Sequence, residues 1–130
     1  MQTKYFEDLE VWRLSRNLTN QVYKITKEKG FSKDFGLIEQ IRRSAVSIIS
    51  NIAEGFERGG NKEFIQYLYV AKGSCGELRS QLYVAFDQNY ITRQTLKEMI
   101  ELAKIVSIKL NNLIQALKAS NLKGSKYNYP

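Results

Sequence analysis

The sequence predicts an all-α protein, an antiparallel up-down-up-down four-helix bundle. Three observations carry this reading. Apolar residues recur at three- and four-residue spacing in four separate segments, turn signals fall only between those segments, and the single proline stands at position 130, where it interrupts no helix. The 130-residue length suits one domain that buries an ordinary core without staples. A chain that is 43% hydrophobic and 25% charged is globular in composition, neither disordered nor membranous.

The first segment runs from about Asp8, read as its N-cap, to Lys29, with Val11, Leu14, Leu18, Val22 and Ile25 on one stripe and Gly30 as the C-cap. A short connection holding Phe31, Phe35 and Gly36 leads to the second segment, about Leu37 to Arg58, whose stripe is Ile38, Ile41, Ala45, Ile48 and Ile52. Gly59 and Gly60 break the pattern, and Asn61 is placed to cap the third helix. Phe64, Leu68, Ala71, Cys75, Leu78, Leu82 and Ala85 recur along that helix at helical period. The chain turns around Asn89 and Tyr90. Thr92 or Arg93 then opens a fourth helix with Leu96, Met99, Ala103, Val106, Leu110, Leu113 and Leu117 inward. Long helices joined by short loops make antiparallel neighbours. The bundle is expected over residues 1–121, with 122–130 (LKGSKYNYP) as a basic flexible tail.

Several classes of function drop out. Histidine is absent, which removes the commonest general base, the commonest metal ligand and the base partner of most Ser and Cys nucleophiles. Cys75 is the only cysteine, so no internal disulfide can form. It falls on the core stripe of the third helix, where a cysteine acts as a small apolar filler. Glu54 and Glu77 could face one another on neighbouring helices, but a di-iron bundle also needs Glu-x-x-His pairs; an ion pair with Arg42, Arg43 or Arg79 is the simpler expectation. The turn at Gly59 and Gly60 lacks the Lys and Ser/Thr of a phosphate loop. No enzyme activity, catalytic residue, metal, cofactor or small-molecule substrate is expected. The opening stretch MQTKYFEDLEVWRL is charged and lacks the apolar core of a secretory leader, and no apolar run is long enough to span a bilayer. A cytoplasmic protein with no membrane role is the expectation.

The outward faces carry what remains. Opposite the core stripe of the first helix lie Arg13, Arg16, Asn20, Lys24 and Lys27, a basic band with no acid among them and with Trp12 and Tyr23 at its margin. Lys and Arg at this spacing can follow a phosphate backbone, and an aromatic ring can stack on an unpaired base. A net charge of +7 agrees with an RNA or DNA partner, although a charged stripe also serves simply as a solvated face. From Leu102 onward, Lys104, Lys109, Lys118, Lys123 and Lys126 meet no acid, which extends the basic surface.

The outer face of the third helix holds Gly73, Gly76 and Ser80, flanked by Tyr69, Val70, Tyr83 and Val84. Mid-helix glycine costs about 1 kcal/mol relative to alanine, so a smooth groove for another chain is a better reading than an idle surface. The second helix presents Arg43, Ser44, Ser47, Ser50, Asn51 and Glu54, and its apolar arc widens sideways through Val46, Ile49, Ala53 and Phe56. Arg43, Asn51, Glu54 and Glu77 are candidates for paired polar contacts at a subunit interface; a polar network closed within one chain explains the same residues equally well. A protein-interaction scaffold without a nucleic-acid role stands as the alternative function.

Gln40 to Gly55 reads QIRRSAVSIISNIAEG and Ala71 to Ala85 reads AKGSCGELRSQLYVA. With the opening FEDLEVW and the Tyr23-Lys24-Ile25-Thr26 stretch, they make about residues 5 to 117 similar to the bacterial four-helix bundle proteins named after 23S rRNA intervening sequences. The resemblance implies a ring-like homo-oligomer, a pentamer. It also implies, for many relatives, a coding position within inserted segments of ribosomal RNA genes. A similar bundle is the accessory protein of diversity-generating retroelements, which engages nucleic acid and a reverse transcriptase. One departure is visible: Ile49 stands where the family often has proline, which puts a bend in the second helix in doubt.

Overall fold

A computed structural model describes residues 3–122. After a 3-10 turn at Phe6–Asp8, four helices follow: α1 (Glu10–Thr26), α2 (Phe35–Glu57), α3 (Asn61–Asp87) and α4 (Arg93–Leu122). No strand occurs among the described residues. Each helix packs on two neighbours, α1 on α2, α2 on α3, α3 on α4, and α4 back on α1; among the described residues the backbones of diagonal pairs do not approach closely. Side-chain contacts give the directions. Thr19 reaches Ala45 while Thr26 reaches Arg42, and Ser47 meets Ser74 while Glu54 meets Tyr67. Cys75 meets Ala103 while Tyr69 meets Lys118. Successive helices therefore run antiparallel, as the stripes predict.

The expected stripes form the core. Leu18, Ile41, Ile48, Ile52, Phe64, Leu68, Leu78, Leu82, Met99 and Leu110 are fully buried, and so is Ile114, which the expected stripe of the fourth helix leaves out; each of the larger side chains is worth about 1.5–3 kcal/mol for its removal from water. Leu14 and Ile38, at the seam of α1 and the first turn of α2, are only half-buried. Ser15 and Thr26 sit inside because each hydroxyl donates to a carbonyl one turn back, at 2.7 Å and 2.9 Å. The seam between α2 and α3 is the most extensive, and Gly55 makes it possible: a Cβ there would lie 2.6 Å from Tyr67 Cβ.

The helix ends differ from expectation in specific ways. Asp8 closes the 3-10 turn and does not cap α1; Leu9 holds the N-cap position, with its side chain buried. The C-cap of α1 is Lys27, ahead of Gly30, because the chain winds through consecutive turns to bury Phe31. Asp34 caps α2, its Oδ1 accepting the Leu37 N–H at 3.1 Å, so α2 starts two residues before Leu37. Gly60 holds the N-cap position of α3, and Asn61 is its buried first residue. Asn89 takes the left-handed turn conformation (φ 65°), which asparagine tolerates better than most side chains. Thr92 then opens α4, its hydroxyl accepting the Thr95 N–H at 3.1 Å.

At one end of the bundle the two interhelix connections are tied together. Phe31 stacks on Tyr90 at 5.0 Å between ring centroids, and the Tyr90 hydroxyl donates to Asp34 Oδ2 at 2.9 Å. This contact fixes where α2 begins. Helix α2 is continuous through Ile49, Ser50 and Asn51. Leu122 is the last residue of α4, and 123–130, the rest of the expected tail, lie outside the described residues.

Candidate nucleic-acid and assembly surfaces

On α1, Arg13, Arg16, Asn20, Lys24 and Lys27 line the face turned away from buried Val11, Leu18 and Val22, and all five are exposed. Residues 11–27 contain neither Asp nor Glu, so no carboxylate of the helix itself interrupts the band. Arg13 donates to the Glu7 carbonyl at 3.3 Å, and the Arg16 guanidinium lies 5.9 Å from the Trp12 ring centroid. Trp12 also packs on the core and on Phe6 at 5.2 Å, so the ring beneath Arg16 belongs to the fold. The Arg42 guanidinium lies over Tyr23, 4.5 Å from the ring centroid. Arg42 is oriented by its Nε, which donates to the Thr26 hydroxyl at 2.9 Å.

The lysines of α4 do not extend this band as one surface. Lys109 pairs with Glu10 at 3.0 Å across the α1–α4 seam. Lys118 donates to the Tyr69 hydroxyl at 2.7 Å across the α3–α4 seam. Helical geometry turns Lys109 away from the face shared by Lys104 and Lys118. Lys123 and Lys126 lie outside the described residues.

The outer face of α3 is open. Tyr69, Val70, Tyr83 and Val84 are each between 44% and 53% accessible. Gly73, Gly76, Glu77 and Ser80 lie between and beside them on the helix. A Cβ at Gly73 or Gly76 would meet nothing within 4 Å. Nothing inside the chain requires glycine at either position.

The polar residues of α2 divide. Asn51 donates to the Ser47 carbonyl at 2.7 Å and to its hydroxyl at 3.1 Å, and the Ser47 and Ser74 hydroxyls are 2.8 Å apart. These three bonds lie within one chain. Arg43 and Glu77 line the same polar groove between α2 and α3, with Ser44, Ser74 and Gln81. The Gln81 Oε1 there is buried without a hydrogen-bond partner. Arg43 itself pairs with Glu39 at 2.7 Å. Glu54 is apart from this groove. It takes Arg58 at 2.8 Å and the Tyr67 hydroxyl at 3.2 Å, so its partner is Arg58 where Arg42, Arg43 or Arg79 was expected. Arg58 first, and Tyr67 second, hold the Glu54 carboxyl below its ordinary value. A carboxylate so held is a poor general acid.

Cys75 is fully buried, and its thiol donates to the Ala103 carbonyl at 3.1 Å. Burial pushes it up from the usual thiol range to about 11, which removes thiolate at neutral pH. Among the described residues no cluster of His, Cys, Asp or Glu could hold a metal ion. No described helix is long and apolar enough to cross a membrane.

The sequence places Phe35 in a connection. It is instead the first residue of α2, 77% exposed, and forms the rim of a cleft with Tyr23, Ile38, Arg42 and Val46. The signal that would have found it is Asp34, a capping residue three before Leu37. Ile105 and Ile108 on α4 are further exposed apolar residues outside the expected surfaces.

Comparison with known proteins agrees with this architecture. The crystal structure of a protein of unknown function from the S23 ribosomal protein family of Bacteroides thetaiotaomicron superposes with a TM-score of 0.75 at 24% identity, covering 81% of this chain and 95% of that one. At that identity the likeness shows the fold alone. No curated protein matches. The family described as 23S rRNA-intervening sequence protein matches residues 7–112, which span all of α1, α2 and α3 and most of α4. The chain belongs to the 23S rRNA-intervening sequence protein family.

Proposed function

We propose that this protein is a non-enzymatic, self-associating bundle that binds RNA or DNA through the outer face of α1. The carrying observation is the band itself: Arg13, Arg16, Lys24 and Lys27 share the outward face of a helix whose residues 11–27 include no acid. Cations at this spacing neutralise successive phosphates and release their counterions, which makes affinity depend on salt. Self-association goes through the open face of α3. Exposed apolar side chains beside two glycines with no internal purpose let a second backbone come close. A ring of five copies is the assembly the resemblance implies. Repeating the α1 band around such a ring multiplies weak phosphate contacts into avidity. A cytoplasmic location accords with this reading.

The test replaces Arg13, Arg16, Lys24 and Lys27 together with Glu and titrates a labelled RNA across a salt series. The expected result is weaker binding and a flatter dependence on salt. The log–log slope should fall by about 0.7 for each phosphate of a single strand that is no longer neutralised. Unchanged affinity and slope would overturn the assignment of this face.

A further inference from the structure

We propose that the cleft between α1 and the start of α2 takes one unpaired nucleobase, so that the nucleic acid this surface prefers is single-stranded. The inference deepens the nucleic-acid reading and rests on it. The cleft has a volume of about 480 Å³ and is lined by Tyr23, Phe35, Ile38, Arg42 and Val46, with Glu39 and Arg43 at its edge. That lies within the range of about 300–1,000 Å³ usual for small-molecule sites, and the lining is apolar and aromatic with cations beside it. It opens beside the basic band, since Tyr23 lies one helical turn before Lys27.

Two features prepare it for a planar ring. Phe35 is 77% exposed, yet its backbone is held in place by the Asp34 cap and by the bond from Tyr90 to Asp34. An aromatic ring on a fixed backbone and open to water is a stacking platform, and stacking tolerates any base because every base has a π-face. The second feature is Arg42. Its guanidinium is backed by the Tyr23 ring and steered by Thr26. A guanidinium plane held this way can stack on a base or donate to the adjoining phosphate.

Charge selects this occupant over a second copy of the chain. The edge carries Arg42 and Arg43 against one carboxylate, Glu39, which Arg43 already engages at 2.7 Å. Both partners of that ion pair are more than 70% exposed, so the pair is weak and Arg43 is readily drawn to a phosphate. The interior of a duplex cannot use the cleft, because the faces of its bases are occupied by their neighbours in the stack.

The test measures binding of three labelled probes at low salt: a short single strand, the same strand with its bases replaced by abasic sites, and the blunt duplex of that sequence. Each is titrated against the wild type, Phe35→Ala and Phe35→Trp. The intact strand is expected to bind about tenfold more tightly than the abasic strand. Phe35→Ala should bring it down to the abasic level, Phe35→Trp should retain it, and duplex binding should be indifferent to both variants. If intact and abasic strands bind alike and Phe35→Ala changes none of the three, the base site is overturned while the phosphate band stands. If none of the probes binds, both are overturned.

Discussion

A Cβ built at Gly55 would lie 2.6 Å from the Cβ of Tyr67 and 3.0 Å from Cδ1 of Phe64, whereas one built at Gly76 meets nothing within 4 Å. Both glycines are in helix interiors, where the residue is intrinsically unfavourable by about 1 kcal/mol relative to alanine. At Gly55 the cost is offset by the close approach of α2 and α3. At Gly76 no intrachain contact offsets it. Gly55→Ala should therefore lower unfolding stability in urea, by about 1–3 kcal/mol for forced overpacking. Gly76→Ala, measured in dilute solution, should leave the fold as stable as before or raise it by up to about 1 kcal/mol. Equal destabilisation at the two positions would mean that the α3 face is packed within the chain. Cys75, the other small residue on α3 that invites a chemical reading, is a buried thiol bonded to a carbonyl.

At the scale of the helix, the core was legible in the sequence and the ends were less so. The stripe from Phe64 to Ala85 is buried at every expected position, because a period of 3.6 residues leaves one face that must leave water. End positions depend on tertiary contacts that periodicity does not contain. Phe31 and Tyr90, far apart in the chain, stack and fix where α2 starts. Phe35 was missed because periodicity alone set the start of α2 at Leu37, although Asp34 carries the capping signal. The α1 band was legible because its outward position follows directly from facing away from the stripe. Lys109 leaves the face that Lys104 and Lys118 share, since spacing around the helix, and not number, decides the face that the lysines of α4 occupy. The α2 candidates were legible as polar and illegible as to partner: Asn51 spends its hydrogen bonds on Ser47, while Arg43 and Glu77 stand in one groove. For α3, Gly73→Glu or Gly76→Glu should give chains that remain helical by circular dichroism and elute as monomers. An unchanged assembly size in both variants would remove the α3 face from the interface.

For the molecule as a whole, the charges of α1 are arranged by face, its outward side carrying Arg13, Arg16, Lys24 and Lys27 with no acid over residues 11–27. The exposed ion pairs of α2, Arg43 with Glu39 and Arg58 with Glu54, add little stability. Hydrophobic burial holds the bundle together and leaves, among other exposed residues such as Phe35, Ile105 and Ile108, a basic surface on α1 and an apolar one on α3. In the proposed function the first takes phosphate and the second takes another copy. The measurement that tests this pairing most directly is light scattering coupled to size exclusion, on protein stripped of nucleic acid at high salt and then mixed with short RNA. A defined oligomer that takes up RNA at low salt and releases it at high salt is the predicted result. A monomer, or an oligomer that ignores RNA at low salt, would contradict it; the latter would turn the search toward a protein partner.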